Sequence, residues 1–214
     1  MGKRVLHDEY FRRAKQEGYV ARSAYKLIQI QEARDIIRKG DRVLDLGCAP
    51  GAWLQVASPL VGPRGRVIGL DLKPVKHRMP DNVRHFVGDV YEYPAAQLVE
   101  EAGRMFGTVL SDMAPNTTGF NEHELSVRLC DQILEMLPGL LRKNGHLVMK
   151  VFEGGEYPGL LRRTQRLFGK VKGYKPKASR DVSREMYVVA HYYRAPEREA
   201  ESASGTPDAP ETTD

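Results

Sequence analysis

The feature that most constrains this chain is a series of short apolar runs, each about as long as one strand. The runs follow Gly40, are rich in Val, Ile and Leu, and read RVLDLG, RVIGLDL, VRHFVGD, TVLSDMA and HLVMKVF. Helix-compatible stretches separate several of them, most clearly residues 122–141 before the fifth run. Strands that alternate with helices and are apolar on both faces predict a parallel sheet covered on both sides.

The segments on either side of this region have a different character. The first 40 residues favour two helices, the second beginning at SAYKLIQIQEAR with Ser23 as its N-cap. The last apolar run, EMYVVAHYY, predicts an additional strand at an edge of the sheet. The tail beginning at Ala195 is rich in Pro, Ser, Glu and Thr and has little to bury, which predicts disorder.

These patterns predict one folded domain followed by a tail. We expect a single domain over residues 1–194, with a basic helical segment at 1–40 and a core at 41–194. Residues 195–214 are expected to form a disordered acidic tail. The length of 214 residues suits one sizeable core rather than two.

Composition narrows the class of protein. No apolar run reaches the roughly 18–20 residues that a membrane span needs, and the charged N-terminus lacks an apolar signal region. Two cysteines and six scattered histidines show no metal-ligand spacing. We therefore expect a monomeric cytoplasmic protein that has no membrane contact and needs no metal.

The charge is positive and unevenly distributed. The net charge is +5, but the tail holds six acids and one base, so the rest carries 32 basic against 22 acidic side chains. Residues 160–180 have eight basic side chains and no acid, and residues 1–26 have seven basic against three acidic. Such basic segments suit a polyanion, although each alone is also compatible with a solvated charged surface.

The first strand leads into a glycine-containing turn, VLDLGCAPGAW. Gly47 and Gly51 allow the backbone to approach a ligand at the carboxyl end of this strand. The G-x-G-x-x-G spacing of dinucleotide sites is absent, and Pro50 removes one N–H group that a pyrophosphate site would use. These departures disfavour NAD and FAD. The form D-x-G-x-x-P-G resembles the first motif of S-adenosylmethionine-dependent methyltransferases.

Two further strand-end acids indicate a nucleoside ligand. Asp71 lies 20 residues after Gly51, the distance at which a ribose-binding acid is expected. Asp89 ends the next strand, where its carboxylate could accept a hydrogen bond from an adenine amino group. Trp53, the only tryptophan, either packs on the cofactor or fills the interface between helix and sheet.

The ordered motifs SAYKL, LGCAPGAW, SDMAPN, KVF and SREMYVVA resemble the FtsJ (RlmE) family of ribosomal RNA ribose 2′-O-methyltransferases over roughly residues 22–193. The resemblance implies a Rossmann-like methyltransferase fold, α/β, with a mostly parallel seven-stranded sheet and helices on both faces. It places the family's catalytic tetrad on Lys26, Asp112, Lys150 and Glu185. It places the contacts to S-adenosylmethionine on Gly51, Trp53, Asp71, Asp89 and Asp112. One departure is Ala52, where the family often has glycine.

The tetrad suits the chemistry that the resemblance implies. A ribose 2′-hydroxyl must lose its proton to become a good nucleophile, and a lysine can take that proton only when it is uncharged. We assign Lys150 as general base, favoured in its uncharged form by burial beside Lys26. Asp112 would hold Lys150, and Glu185 would orient Lys26 or the ribose. The alkoxide then displaces the sulfonium methyl group, which requires no metal.

The substrate implied by the resemblance is a uridine in 23S ribosomal RNA of the large subunit, methylated in the assembled 50S particle. Tyr19, Tyr25, Phe120 and Tyr157 are candidates for stacking on a splayed-out base. Three alternatives remain: a 2′-O-methyltransferase that acts on transfer RNA or a messenger cap, a non-catalytic ribosome assembly factor, and a nucleotide-dependent oxidoreductase.

Overall fold

The computed structural model describes residues 2–115, 121–180 and 182–196, with side chains from residue 9 onward. The helices are α1 (Gly2–Gln16), α2 (Ala24–Arg34), α3 (Ala52–Val61), α4 (Ala95–Ala102), α5 (Glu122–Leu140) and α6 (Tyr157–Leu167). The strands are β1 (Arg42–Leu46), β2 (Arg66–Asp71), β3 (Val83–Val87), β4 (Phe106–Ser111), β5 (Leu141–Phe152), β6 (Phe168–Tyr174) and β7 (Glu185–Tyr193). The predicted tail beyond residue 196 and the stacking candidate Phe120 lie outside these ranges.

The seven strands form one sheet in the order β3-β2-β1-β4-β5-β7-β6. Strands β1 to β5 pair in parallel, and β7 is antiparallel to both β5 and β6. All six predicted runs form strands, and the predicted mostly parallel seven-stranded sheet is confirmed. Within the described part of the chain, no helix is both long and apolar enough to cross a membrane.

Helices cover both faces of the sheet, as predicted. One apolar core joins α4, α5 and α6 to one face, through residues such as Leu98, Ile133 and Leu160. A second core joins α2 and α3 to the other face, through residues such as Leu27 and Leu54. We call the first the α5 face and the second the α2 face. Burial of aliphatic side chains on both faces explains why the parallel strands are almost continuously apolar.

The prediction that EMYVVAHYY forms an edge strand is wrong. The strand β7 lies between β5 and β6, and β6 forms the edge instead. The sequence of β6, FGKVKGY, was not recognised as a strand because it is mostly exposed and carries lysines at Lys170 and Lys172. Charged residues are common on edge strands, where they discourage pairing with other chains. The near-continuous burial of β7 is what an interior strand requires.

Helix α2 starts at the predicted position, with Ser23 as its N-cap residue. Ser23 precedes the helix and makes no side-chain cap hydrogen bond. Its carbonyl instead accepts a hydrogen bond from Trp53 Nε1 at 2.9 Å, which ties α2 to α3. The predicted segment 1–40 is therefore not separate from the core, because α2 packs directly on the sheet.

A pair of histidines lies at the amino end of the parallel strands. His146 on β5 is opposite His191 on β7, and their ring centroids are 5.0 Å apart. His146 is 2% exposed, and its Nδ1 has no hydrogen-bond partner among the described residues. Burial, together with the charges of His191, Arg38 and Arg142, lowers the pKa of His146 to about 4. The imidazole is therefore uncharged at neutral pH.

This lowered pKa predicts an acid-sensitive fold. Between an unfolded pKa of about 6.5 and the folded pKa of about 4, the unfolded chain binds a proton at His146 that the folded chain does not. The free energy of unfolding should fall as pH drops through this window, by about 3 kcal/mol from this group. His146→Phe should show a correspondingly smaller loss in urea titrations between pH 7 and 4. Parallel pH profiles for the two proteins would contradict the assignment.

Candidate active site

A cavity of about 580 Å³ lies at the carboxyl ends of β1, β2 and β4. The strand order reverses between β1 and β4, and ligands of α/β sheets bind at such a switch point. Asp71, Asp89 and Asp112 all line this cavity. The structure therefore brings together three of the acids singled out in the sequence.

The turn after β1 is shaped by backbone geometry and one carboxylate. Gly47 has a φ of +78°, and a Cβ there would lie 2.5 Å from Met113 Cγ. Asp71 Oδ2 accepts a hydrogen bond from the Ala49 N–H at 2.9 Å, and its Oδ1 accepts one from the Lys73 N–H at 2.8 Å. Asp71 thus holds the turn against the end of β2, and both oxygens retain a lone pair for a ligand.

Asp89 follows β3 on the same side of the cavity. Its Oδ1 accepts a hydrogen bond from the Tyr91 N–H at 3.0 Å, which fixes the carboxylate at the cavity wall. Tyr91 is 54% exposed and lines the cavity as well. Asp71 and Asp89 thus both present carboxylates to the cavity.

Gly51 and Trp53 are not among the described residues that line the cavity. Gly51 has a φ of +112°, and a Cβ there would meet Met79 and Val75. The Trp53 indole is 3% exposed and packs against Tyr187, with ring centroids 5.9 Å apart. The Gly51 N–H donates a hydrogen bond to the Cys48 carbonyl at 2.7 Å. N–H groups in the first turn of a helix lack intrahelical partners, so a ligand contact at Trp53 would be through its backbone N–H.

Two buried lysine–carboxylate pairs lie beside the cavity. Lys150 Nζ is 3.1 Å from Asp112 Oδ1 and donates a hydrogen bond to the Asp112 carbonyl at 2.5 Å. Lys26 Nζ is 2.8 Å from Glu185 Oε1 and 2.9 Å from Oε2. The four side chains are between 9% and 19% exposed. The sequence-predicted tetrad is therefore one cluster, and Asp112 belongs to both the cluster and the cavity wall.

Tyr187 connects the two ion pairs and was missed in the sequence. Its hydroxyl donates a hydrogen bond to Asp112 Oδ1 at 2.6 Å, and Lys26 Nζ lies 5.8 Å from its ring centroid. Burial and the charges of Asp112 and Glu185 raise its pKa well above the ordinary value, so the hydroxyl remains a donor. Its position two residues after Glu185 on one strand, and so on the same face, is the signal that could have identified it.

A further acid beneath the cavity was also overlooked. Asp45 on β1 is completely buried, and neither of its carboxyl oxygens has a partner among the described residues. Burial, with the charges of Asp112 and Asp71, raises its pKa well above the ordinary value. The neutral form of Asp45 is therefore favoured, which limits the negative charge under the turn.

Two of the stacking candidates are packing residues. Tyr25 is 2% exposed and packs with Tyr10 and Tyr19, and Tyr157 packs against the α5-face core. In the ranges that the structure describes, no group of three or more His, Cys, Asp or Glu is arranged to hold a metal ion.

The fold and the site together define an α/β protein with a cavity at the switch point of its sheet and two buried lysine–carboxylate pairs near it. A model of the FtsJ-like methyltransferase family matches residues 19–193. The chain belongs to this family and is a methyltransferase. The methyl donor predicted from the sequence, S-adenosylmethionine, is confirmed by this membership.

Comparisons with individual proteins agree with the family assignment. The chain is 46% identical over 187 residues to ribosomal RNA large subunit methyltransferase E of Syntrophobacter fumaroxidans, covering 86% of this chain and 95% of that protein. It is 37% identical to the protein of the same name from Methanothermobacter thermautotrophicus, covering 92% and 97%. A structure described as a ribosomal RNA methyltransferase from Plasmodium falciparum has a TM-score of 0.73 and 25% identity, covering 83% and 100%.

The placement of Trp53 predicts a structural rather than a ligand-contacting side chain. Trp53→Phe should lower the free energy of unfolding by about 1–2 kcal/mol, because it removes the hydrogen bond to Ser23 and some packing. The dissociation constant for S-adenosylmethionine should change less than about threefold. Urea unfolding measures the free energy of unfolding, and calorimetric titration measures the dissociation constant.

Leu72 provides the matched control, because it lines the cavity and is 55% exposed. Leu72→Ala should weaken cofactor binding while the free energy of unfolding stays within about 0.5 kcal/mol of the wild-type value. A large loss of cofactor affinity in Trp53→Phe without a loss of stability would show that the indole contacts the cofactor.

Proposed function

We propose that this protein transfers a methyl group from S-adenosylmethionine to a ribose 2′-hydroxyl, of a uridine, in 23S ribosomal RNA of the large subunit. In this proposal the assembled 50S particle is the substrate and Lys150 is the general base. The observation that carries it is the double position of Asp112, which lines the cavity and pairs with Lys150. A methyl donor in the cavity would then lie beside the cluster that deprotonates the acceptor.

The cavity walls suit this methyl donor. The carboxylate of Asp71 retains acceptor capacity for the ribose hydroxyls, and that of Asp89 for the adenine amino group. The first turn of α3 offers backbone N–H groups to the methionine carboxylate near Gly51 and Trp53. When bound, S-adenosylmethionine supplies an electrophilic methyl group on a sulfonium.

The residues of the cluster have different roles in proton transfer. Lys150 takes the proton of the 2′-hydroxyl, and Asp112 and Tyr187 hold Lys150 and its partner in place. Lys26, oriented by Glu185, stabilises the developing alkoxide. The O2′–methyl bond forms as the sulfonium–methyl bond breaks.

The names of the relatives support the RNA substrate. The proteins from Syntrophobacter fumaroxidans and Methanothermobacter thermautotrophicus are called large-subunit ribosomal RNA methyltransferases. The excess of basic side chains outside the tail is compatible with an RNA partner. We infer that residues 1–194 act as one domain, as a monomer, in the cytoplasm, with the acidic tail at 195–214 outside it.

Labelled methyl transfer to large subunits from cells that lack this gene tests the proposal. Lys150→Ala should lower the rate by about 10²- to 10⁴-fold, because general-base catalysis is worth that much. Lys143→Ala, an exposed lysine on the same strand, should leave the rate unchanged and serves as the control. Calorimetric titration should show cofactor binding for all three proteins, which shows that they are folded.

The acceptors in that assay separate the alternatives. An alkali-resistant label at one uridine of subunit RNA supports ribose methylation. Label on transfer RNA or capped RNA alone would overturn the substrate assignment. No label on any acceptor, with intact cofactor binding, would indicate a non-catalytic assembly factor, and binding of NAD instead would indicate an oxidoreductase.

The hydroxyl of Tyr187 predicts a positioning role that can be measured separately. Tyr187→Phe should lower kcat by about 10- to 100-fold, because a hydrogen bond to a charged group is worth about 1.5–3 kcal/mol. The KM for subunits should not change, since the hydroxyl is buried behind Asp112. Tyr193→Phe is the matched control, because Tyr193 is 1% exposed and its hydroxyl has no partner among the described residues. Equal activities of the two variants would contradict the role.

A further inference from the structure

The structure divides the basic segment 160–180 between the two faces of the sheet. Three of its four arginines, Arg162, Arg163 and Arg166, lie on α6, which packs on the α5 face. Lys170 and Lys172 lie on the edge strand β6, at positions paired with His191 and Val189 of β7. Because side chains of directly paired residues share a face, these two lysines are on the α2 face with Lys150 and Tyr187.

Helix α2 runs along this face from the catalytic cluster to the histidine pair. Lys26 in its first turn contacts Glu185, and Arg34 in its last turn stacks over Tyr174 of β6, 5.3 Å from the ring centroid. The Tyr174 hydroxyl donates a hydrogen bond to the Gln29 carbonyl at 3.3 Å. The nine residues from Lys26 to Arg34 span about 12 Å. We call the surface between α2 and β6, which carries Arg34, Lys170 and Lys172, the margin. This margin is therefore continuous with the active site.

Positive charge accumulates along this margin. Lys170 and Lys172 are exposed, and Arg34 and Arg38 lie at its far end. The charges of Lys170, Arg34 and Arg38 all act on His191, where they add to burial in lowering its pKa. The acid that acts in the opposite sense there is Asp35, which accepts a hydrogen bond from Gln31 Nε2 at 3.3 Å. The cations outnumber this acid, so the margin attracts anions.

Two buried polar atoms without hydrogen-bond partners among the described residues lie at the end of the margin near the histidine pair. Arg34 Nε and His146 Nδ1 are buried without a partner among the described residues. Buried polar atoms are usually paired, so such atoms mark a place where a ligand or water completes the bonding. Arg34 Nε is a donor, which suits an oxygen of a phosphate.

We propose that the margin between α2 and β6 binds the sugar–phosphate backbone of the substrate RNA next to the methylated nucleotide, through Lys170, Lys172 and Arg34. This proposal rests on the RNA substrate proposed above. It assigns the RNA path to one face of the sheet and excludes the arginines of α6 from it. The strand leaves the catalytic cluster along α2 and passes the histidine pair.

A pair of charge-matched double variants tests this path. Lys170→Gln with Lys172→Gln removes two charges from the margin, and Arg162→Gln with Arg166→Gln removes two exposed charges from α6. The first should raise the KM for subunits by about 5- to 10-fold and leave kcat and cofactor affinity unchanged. The second should change none of these.

Direct binding to protein-free large-subunit RNA, measured by filter retention, gives a second readout. The slope of log affinity against log salt should fall by about 1.4 in the margin variant, as expected for two lost contacts to single-stranded phosphates. Lys170→Arg with Lys172→Arg should restore both KM and slope, because the charges return. Thermal unfolding of each variant verifies that the edge strand is intact.

The possible outcomes separate this proposal from the proposed function. Equal effects of the margin and α6 variants, or no effect of the margin variant, would overturn the path. Wild-type protein that binds the RNA but transfers no methyl group would overturn the proposed function, and the binding comparison would still decide the path.

Discussion

Two buried lysine–carboxylate pairs tie together the elements that meet at the cavity end of this fold. Removing charges from water costs several kcal/mol for each ion, and a buried pair recovers this only with good geometry and additional hydrogen bonds. The Tyr187 hydroxyl, the Asp112 carbonyl and the tyrosine ring supply such contacts here. Because each charge would be buried without a partner in another arrangement, the two pairs favour the packing of α2, β5, β7 and the end of β4 that brings them together.

The antiparallel direction of β7 makes this cluster possible. Parallel strands would all present their carboxyl ends at the cavity, and the first residues of a parallel β7 would lie at the opposite edge. Reversed, β7 begins at the cavity, so Glu185 and Tyr187 lie beside Phe152 and Lys150. The strand β6 follows as an edge strand. Among the described strands it pairs with β7 alone, and it carries exposed lysines.

The sequence predicts the interior of the sheet better than its edge or its long-range contacts. Apolar runs identify β1 to β5 and β7, because buried strands need such residues. The strand β6 has no such run, and the interior place of β7 follows from pairing that periodicity does not encode. Lys26 and Glu185 are 159 residues apart, so only the family resemblance could place them together. Trp53 was ambiguous because burial in the core and stacking on a cofactor favour the same residue type.

The charge balance of the site explains why RNA affinity must come from elsewhere. Each lysine of the cluster faces its own carboxylate, so the four side chains together offer no net positive charge that would attract RNA. A compensated cluster can remain buried, where electrostatic effects on the alkoxide are strong. Phosphate contacts need exposed, uncompensated cations, which lie on the margin of α2 and β6. In the proposed arrangement the two sets of charges are separate, so RNA affinity would vary with salt while the geometry of the proposed proton-transfer cluster stays constant.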